Sequence, residues 1–446
     1  MSSKNIIYKT VAISVITALS LVIAKNLWEI LCLSISQWNE PILYGDSWTF
    51  AITKTTEGAT IQSLLSQHNE HRIVFSKAAA LFETNVLNIP PGQTALIQTL
   101  ILLLLSCGIW AYLSGKILKS KTLWLITSLA GSALILNPWQ YENLGWEFQT
   151  PWMFINTLTL FSAVVITFGE KAMSPVASTL QDILVAAIPW IAIFSTGQGI
   201  ALGLALCICS WTNSKRLGLI STASFTSALL STYYLLDYQK PAYHPDYQFN
   251  PHYFLKILTG GSWQGLAFLI VTSAVVLAIN YKAIKIPLRI AGAALMPFLF
   301  SIVFAGMTTF SRSGFGIDQA NTSRYVSHSL MAGLSCIMIV ALCLQKRSSQ
   351  VKLLNVGPGV LTLLAFSSLN FNSFAQDFRD QWENARTFQE TRRANFKCLG
   401  KKASLIKKGI EHTCPDGPHH KDIALEYFKG NTAIKPKGWH KKIIHE

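Results

Sequence analysis

The chain has 446 residues, of which 50% are hydrophobic, 11% aromatic and only 13% charged. Soluble proteins average about 25% charged residues, so these figures exclude a disordered chain, argue against a soluble enzyme and fit a chain that crosses a membrane many times. The 37 Lys+Arg against 22 Asp+Glu leave a net charge of +15, and the placement of those charges decides between nucleic-acid binding and membrane topology.

A spanning helix needs about 20 mostly apolar residues. In chain order, about eleven segments qualify, near 10–31, 94–113, 122–137, 151–168, 182–196, 198–212, 217–236, 263–280, 290–307, 326–344 and 353–369. The first has the basic start and apolar run of a signal peptide, but Lys25-Asn26-Leu27-Trp28 follows and apolar character resumes. It reads as an uncleaved span. The fifth and sixth form a hairpin whose polar tip, Ser195-Thr196-Gly197-Gln198-Gly199, is expected inside the protein, where irregular backbone is tolerated. No internal repeat is visible, which weakens an inverted-repeat transporter reading.

Basic residues sort by loop. One set of loops carries Lys4 and Lys9, then Lys116, Lys119 and Lys121, Lys171, Lys215 and Arg216, Lys282, Lys285 and Arg289, and Lys346, Arg347 and Lys352. The opposite loops, with far more sequence, hold only Lys54, Arg72, Lys77, Lys240, Lys256, Arg312 and Arg324. The positive-inside rule puts the N-terminus in the cytoplasm, and eleven spans then put the tail outside. Most acids before residue 370 fall on the outer loops, so any chemistry is expected there. The excess positive charge is a topology signal, and no nucleic-acid partner is expected.

The chain divides into 1–369, a membrane domain with a long first outer loop at 37–93, and 370–446, a polar tail. Six of the eight cysteines lie in apolar spans, where a free thiol behaves as a small hydrophobe. Cys398 and Cys414 are the two in the tail, and an outer location favours a disulfide between them. The rival is zinc with His412, His419 and His420, although no two cysteines have metal-type spacing. The tail reads either as a small, partly helical cap or as a solvated segment that touches anionic headgroups.

Four outer constellations stand out. Asp46, in Tyr44-Gly45-Asp46-Ser47-Trp48, is either a general base or cation ligand or an ordinary loop acid. Helical periodicity is expected around 60–86. On such a helix His68, His71 and Arg72 share a face at i, i+3, i+4, with Asn69 and Glu70 beside them. That run suits phosphate or sugar recognition, against a metal site or a solvated helix. The third loop runs from Asn137 to Gln149 and sets Trp139, Tyr141 and Trp146 among Glu142, Asn143 and Gln149. It is either an interfacial aromatic belt or the lining of a sugar site. Arg312 and Arg324-Tyr325 flank the last outer loop, as phosphate forks or as residues snorkelling to headgroups. A further outer loop holds Asp237, His244, Asp246, His252 and Tyr253 with no recognisable spacing. There is no Walker A loop, dinucleotide fingerprint or Gly-x-Ser-x-Gly elbow. No nucleotide cofactor is expected, and an activated substrate would be lipid-borne or already outside.

Together, Gly45-Asp46-Ser47-Trp48, His68–Arg72, Glu142-Asn143 to Gln149, the Ser195–Gly199 tip and Ser323-Arg324-Tyr325 resemble a bacterial GT-C-type membrane glycosyltransferase of the cell-surface polysaccharide class. The likeness covers roughly residues 1–369. It implies an all-α integral membrane fold, a GT-C-like bundle of about 11 transmembrane helices with a long first periplasmic loop and a small periplasmic C-terminal region. It also implies a polyprenyl-phosphate sugar donor, a glycan or glycolipid acceptor and residence in the bacterial inner membrane. Carried over, Asp46 is the acid that activates the acceptor. His71, Arg72, Arg312 and Arg324 would hold the departing phosphate. Glu142, Trp146 and Gln149 would orient the sugar, with His68, Asn69, Glu70, Asn143 and Tyr325 as further substrate contacts. The Asp-x-Asp pattern of better-known members is absent, and no residue pattern supports a divalent metal, which stays open. A transporter or flippase of lipid-linked saccharides, or a glycan polymerase, is the alternative.

Overall fold

The computed structural model describes residues 3–39, 45–47, 60–168, 174–260, 286–350, 380, 382–395 and 397–398. The described residues form helices and connecting loops with no named strand. Helix α1 is Ser3–Asn39, and it runs unbroken through Lys25-Asn26-Leu27-Trp28. Two short helices follow, α2 (Ile61–Leu65) and α3 (Val74–Phe82). The bundle continues with α4 (Ala95–Ile117), α5 (Lys121–Ile135), a short α6 (Tyr141–Gly145), α7 (Thr150–Thr167), α8 (Pro175–Ile193), α9 (Gly199–Asn213) and α10 (Lys215–Leu230). It ends with α11 (Pro251–Leu258), α12 (Leu288–Arg312) and α13 (Ser323–Gln350). A tail helix, α14, covers 382–395.

Among the described residues, six helices are long and apolar enough to cross a membrane: Thr10–Asn39, Ala95–Ile117, Thr150–Thr167, Pro175–Ile193, Leu288–Phe315 and Ser323–Gln345. The chain is an α-helical, membrane-embedded protein. Three further expected spans are the shorter α5, α9 and α10. At 15 residues, α5 and α9 rise only about 22 Å, less than a bilayer core. The segments expected at 263–280 and 353–369 lie outside the described residues.

Local sequence sets the helix ends. Ser120, Ser174 and Ser214 cap α5, α8 and α10, each hydroxyl accepting from a backbone N–H in the first turn. Asn250 caps α11 ahead of Pro251, its Oδ1 accepting from His252 N at 3.0 Å and Tyr253 N at 3.2 Å. Between helices, small residues admit large ones. Trp110 lies over Gly131 and donates from Nε1 to Thr127 O at 2.9 Å, and Phe225 lies over Gly203. Hydroxyl pairs such as Ser106–Thr157, at 2.8 Å, join α4 to α7 in the core.

Successive helices alternate in direction, so their connections gather at two ends. At one end Lys119 and Ser120 donate backbone N–H groups to Gln345, Asn213 donates to Ile166 O, and Arg216 pairs with Asp182 at 3.0 Å. This end carries Lys116, Lys119, Lys121, Lys215 and Arg216. The other end gathers the loops that hold every described site candidate. Tail helix α14 lies beside the last turns of α1 at this same end. There Arg386 pairs with Glu29, Gln389 donates to Leu33 O and Arg393 donates to Ser36 Oγ.

A Cβ on Gly131 would fall 1.8 Å from Trp110 Nε1. Gly131→Ala is therefore expected to unseat Trp110 and cost about 1–3 kcal/mol. A thermal melt of the purified protein in detergent checks this: the variant melts several degrees lower, and an unchanged midpoint would refute the packing.

Candidate functional site

The site is assembled on the segment between α2 and α3. Thr60 and Ser63 cap α2 reciprocally. Lys77, only 2% exposed, donates from Nζ to Ser63 O at 2.9 Å and Ser66 O at 3.0 Å, and so ties the end of α2 to α3. The expected single helix across 60–86 is not formed. His68 and His71 instead exchange backbone hydrogen bonds at 2.8 Å in both directions, closing a tight turn through Asn69 and Glu70. Asn69 sits at φ 48°, left-handed backbone that asparagine tolerates better than most residues. His68, His71 and Arg72 therefore do not share a helical face, and the turn aims their side chains separately.

Arg72 is taken up by backbone carbonyls. Its terminal nitrogens donate to Leu65 O and Leu236 O, and the residue is buried. It fastens the turn to the loop after α10. Gln67 and Gln239 reinforce that junction, with Gln239 N donating to Gln67 Oε1 at 3.0 Å.

Glu70 receives three partners. Arg312, from the end of α12, pairs with Oε1; His71 Nε2 lies 3.4 Å from Oε1; His244 Nε2 lies 3.4 Å from Oε2. His71 Nδ1 accepts a hydrogen bond from Gly197 N at 3.0 Å. That leaves Nε2 as the nitrogen bearing the proton, aimed at Glu70. The Ser195–Gly199 tip is buried, as expected, and Gly197 is the part of it that reaches the site. His71 is pushed down to about 3, by burial first and then by neighbouring His68, against an opposing pull from Asp46. Burial, then Lys240, also lowers His244. Both shifts favour the neutral imidazole.

Asp46 lies beside this cluster, one-third exposed, with His68 Nε2 3.7 Å from its Oδ1. Asn69 Nδ2 is 3.2 Å from His68 Nε2. Tyr243 is raised by burial and then by the Asp46 charge.

The 137–149 loop has mainly a positioning role. Glu142 Oε2 accepts from Arg324 N at 3.0 Å, Glu142 N donates to Ser323 Oγ at 3.1 Å, and Asn143 Nδ2 donates to Arg324 O at 3.0 Å. These contacts cap the start of α13. Trp146 Nε1 donates to Ser47 Oγ at 3.1 Å, which anchors the residue next to Asp46. Phe388 of the tail helix packs on Trp146 at 6.4 Å between ring centres, and Arg392 donates to Gly145 O. Gln149 is buried, and Tyr325 stacks on Trp152 at 5.9 Å. The Arg324 guanidinium stands 5.6 Å from the Tyr325 ring, within electrostatic reach of Asp46 and Glu142. Among the described residues it enters no ion pair, unlike Arg312, and no carbonyl takes it, unlike Arg72.

The structure thus brings together Asp46, His68, Asn69, Glu70, His71, Arg312 and Arg324, with Glu142, Asn143, Trp146 and Tyr325 around them. Spacing did not single out His244, Gly197, Lys77 or the α14 side chains Phe388 and Arg392. Cys398 is disulfide-bonded, and Cys414 lies outside the described residues. Among the described residues no group of three or more His, Cys, Asp or Glu side chains is placed to hold a metal ion. No family model, curated protein or solved structure matches the chain.

His71 carries a pH prediction. Its folded value lies below the unfolded 6.5, so the unfolded state binds more protons between about pH 6.5 and 3. The stabilisation from neutral His71 is present above that window and is lost as pH falls through it. Protonation at Nδ1 would also set two donors against each other at Gly197. The melting midpoint should drop between pH 7 and 4.5, and His71→Asn should flatten that drop; an unflattened profile would refute the assignment.

Proposed function

We propose that the chain is a GT-C-type membrane glycosyltransferase that moves a sugar from a polyprenyl-phosphate donor to a cell-envelope glycan or glycolipid. About eleven spans would set the N-terminus in the cytoplasm and the tail and site loops in the periplasm of a bacterial inner membrane. The reading rests on the basic end opposite the site and above all on one observation: Arg324, which enters no ion pair among the described residues, is held within electrostatic reach of a partly exposed carboxylate, Asp46. An inverting transfer needs a base for the acceptor hydroxyl on one side of the reacting carbon. On the other side it needs a cation for the charge that develops on the departing phosphate.

In this mechanism the acceptor oxygen bonds to the anomeric carbon as the bond from that carbon to the phosphate oxygen breaks. The acceptor proton passes to Asp46, and the bonding electrons leave with the polyprenyl phosphate, whose charge Arg324 receives. His68 orients Asp46. Glu142 and Asn143 fix the backbone that carries Arg324, and Trp146, through Ser47, fixes the backbone that carries Asp46. Trp146, Gln149 and Tyr325 line the sugar side, with Asn69 and Glu70 contributing from the tip of the turn.

The flippase reading has one observation in its favour. His328, in α13, is fully buried against Trp152, Phe300 and Phe304, and its Nδ1 lies 2.7 Å from Asn156 Oδ1. Ionisable groups inside a span often mark a pathway. Lipid-linked glycans of a deletion strain separate the readings: unelongated acceptor accumulates for a transferase, and product trapped in the cytoplasmic leaflet accumulates for a flippase.

Asp46→Asn should lower transfer by at least about a hundredfold with donor binding retained. Arg324→Gln should lose about a hundredfold or more and weaken donor binding as well. Full transfer by Asp46→Asn would overturn the base assignment.

A further inference from the structure

Arg312, His71 and His244 come from three separate connections, and all three aim nitrogen at Glu70. The fit is incomplete. Glu70 Oε2 and His244 Nε2 are both buried, stand 3.4 Å apart and make no hydrogen bond among the described residues. A carboxylate offers two oxygens to three converging side chains, and here it leaves His244 Nε2 without a hydrogen bond. A phosphate group offers more oxygens and more charge, and it suits a guanidinium with two flanking N–H donors.

The mounting of each partner is also unequal. His71 is pinned from behind by Gly197 N–H, and a Cβ at Gly197 would lie 2.8 Å from its Nδ1, so the ring has little room to move. His244 is boxed between Tyr243 and Phe315, with ring centres at 4.8 and 5.7 Å. Ser313, which follows Arg312, donates to Gln248 O at 2.9 Å and fixes the end of α12. Glu70 alone sits at the tip of a two-residue turn, where its side chain can swing without breaking a helix.

We propose that Arg312, His71 and His244 form a phosphate-binding seat and that Glu70 is its resident competitor, displaced when a phosphate group enters. The inference rests on the transferase reading for the identity of that group, the phosphate of a polyprenyl-linked substrate. The exchange itself does not require transfer to occur. Arg324 and Arg312 then act at different stages: Arg324 meets the phosphate first, and Arg312 joins once Glu70 has left. The Arg324 charge also bears on His71, the last of the influences that lower it.

The test is equilibrium binding of radiolabelled farnesyl phosphate and of inorganic phosphate to the full chain in phosphate-free detergent. Glu70→Gln keeps the shape and removes the charge, and Glu70→Ala empties the seat. Each should bind farnesyl phosphate about tenfold tighter than the wild type, a change of about 1.4 kcal/mol. Arg312→Lys leaves Glu70 in place but loses the planar fork, and it should bind at least fivefold more weakly. Inorganic phosphate showing the same pattern of changes means that the seat reads the phosphate alone; a pattern confined to farnesyl phosphate means that it reads a lipid-borne one. Glu70 variants that bind no tighter, or Arg312→Lys binding unchanged, would overturn the proposal and leave Glu70–Arg312 a structural pair. If the seat behaves as expected while Asp46→Asn retains full transfer, the base assignment of the transferase reading fails and the seat stands. The converse result, lost transfer in Asp46→Asn with phosphate binding unchanged in the Glu70 and Arg312 variants, leaves the base assignment standing and removes the seat.

Discussion

The Glu70 carboxylate is where the loop end of the bundle is held together. Removing charges and N–H groups from water costs several kcal/mol each unless they are paired. A helical bundle satisfies its backbone inside each helix, but its connections have no such ladder. Here the connections solve the problem collectively. Glu70 takes Arg312 and the two histidines. Arg72 donates to carbonyls at the end of α2 and in the loop after α10, and Glu142 accepts from the Arg324 N–H in the first turn of α13. Most of these pairings, Glu70 with Arg312 and His244, Arg72 with Leu236 and Glu142 with Arg324, join segments far apart in the chain, so the loops form one surface.

That arrangement separates roles among residues of the same type. Three arginines of the bundle's own loops and helix ends, Arg72, Arg312 and Arg324, reach this end among the described residues. Arg72 is a fastener, Arg312 is held by a carboxylate, and Arg324 is gripped by Glu142 and Asn143 through its backbone and enters no ion pair among the described residues. The carboxylates divide in the same way: Glu142 caps a helix, Glu70 closes the cluster, and Asp46 keeps a partly exposed edge. The tail contributes from outside the bundle. Phe388 and Arg392 press on the Gly145-Trp146 step, and Trp146 hands that constraint to Ser47.

The long helices were legible because a bilayer demands about 20 apolar residues in a row, a signal that needs no knowledge of partners. The polar tip at 195–199 was legible for the related reason that five polar or glycine residues between two apolar runs have to be sheltered. The turn at His68–His71 was not legible. Its polar residues at i, i+3 and i+4 mimic a helical face, and only the long-range partners Asp46, Gly197 and Arg312 show where each side chain goes. His244 was missed because its significance lies in a carboxylate from another loop. Arg392 was missed because a guanidinium on a charged tail looks solvated until a carbonyl from the bundle is found above it. Site residues could be nominated from composition, but their division of labour depends on contacts that spacing does not encode.

In the proposed transfer Asp46 and Arg324 face one another across a phosphate-linked sugar. An electron cryo-microscopy structure of the full chain bound to a polyprenyl phosphate tests this arrangement. Phosphate density is expected within ion-pair distance of Arg324 at the loop end, with the Asp46 carboxylate on the far side of the position the sugar would occupy. Phosphate density at the opposite, lysine-rich end of the bundle would contradict it.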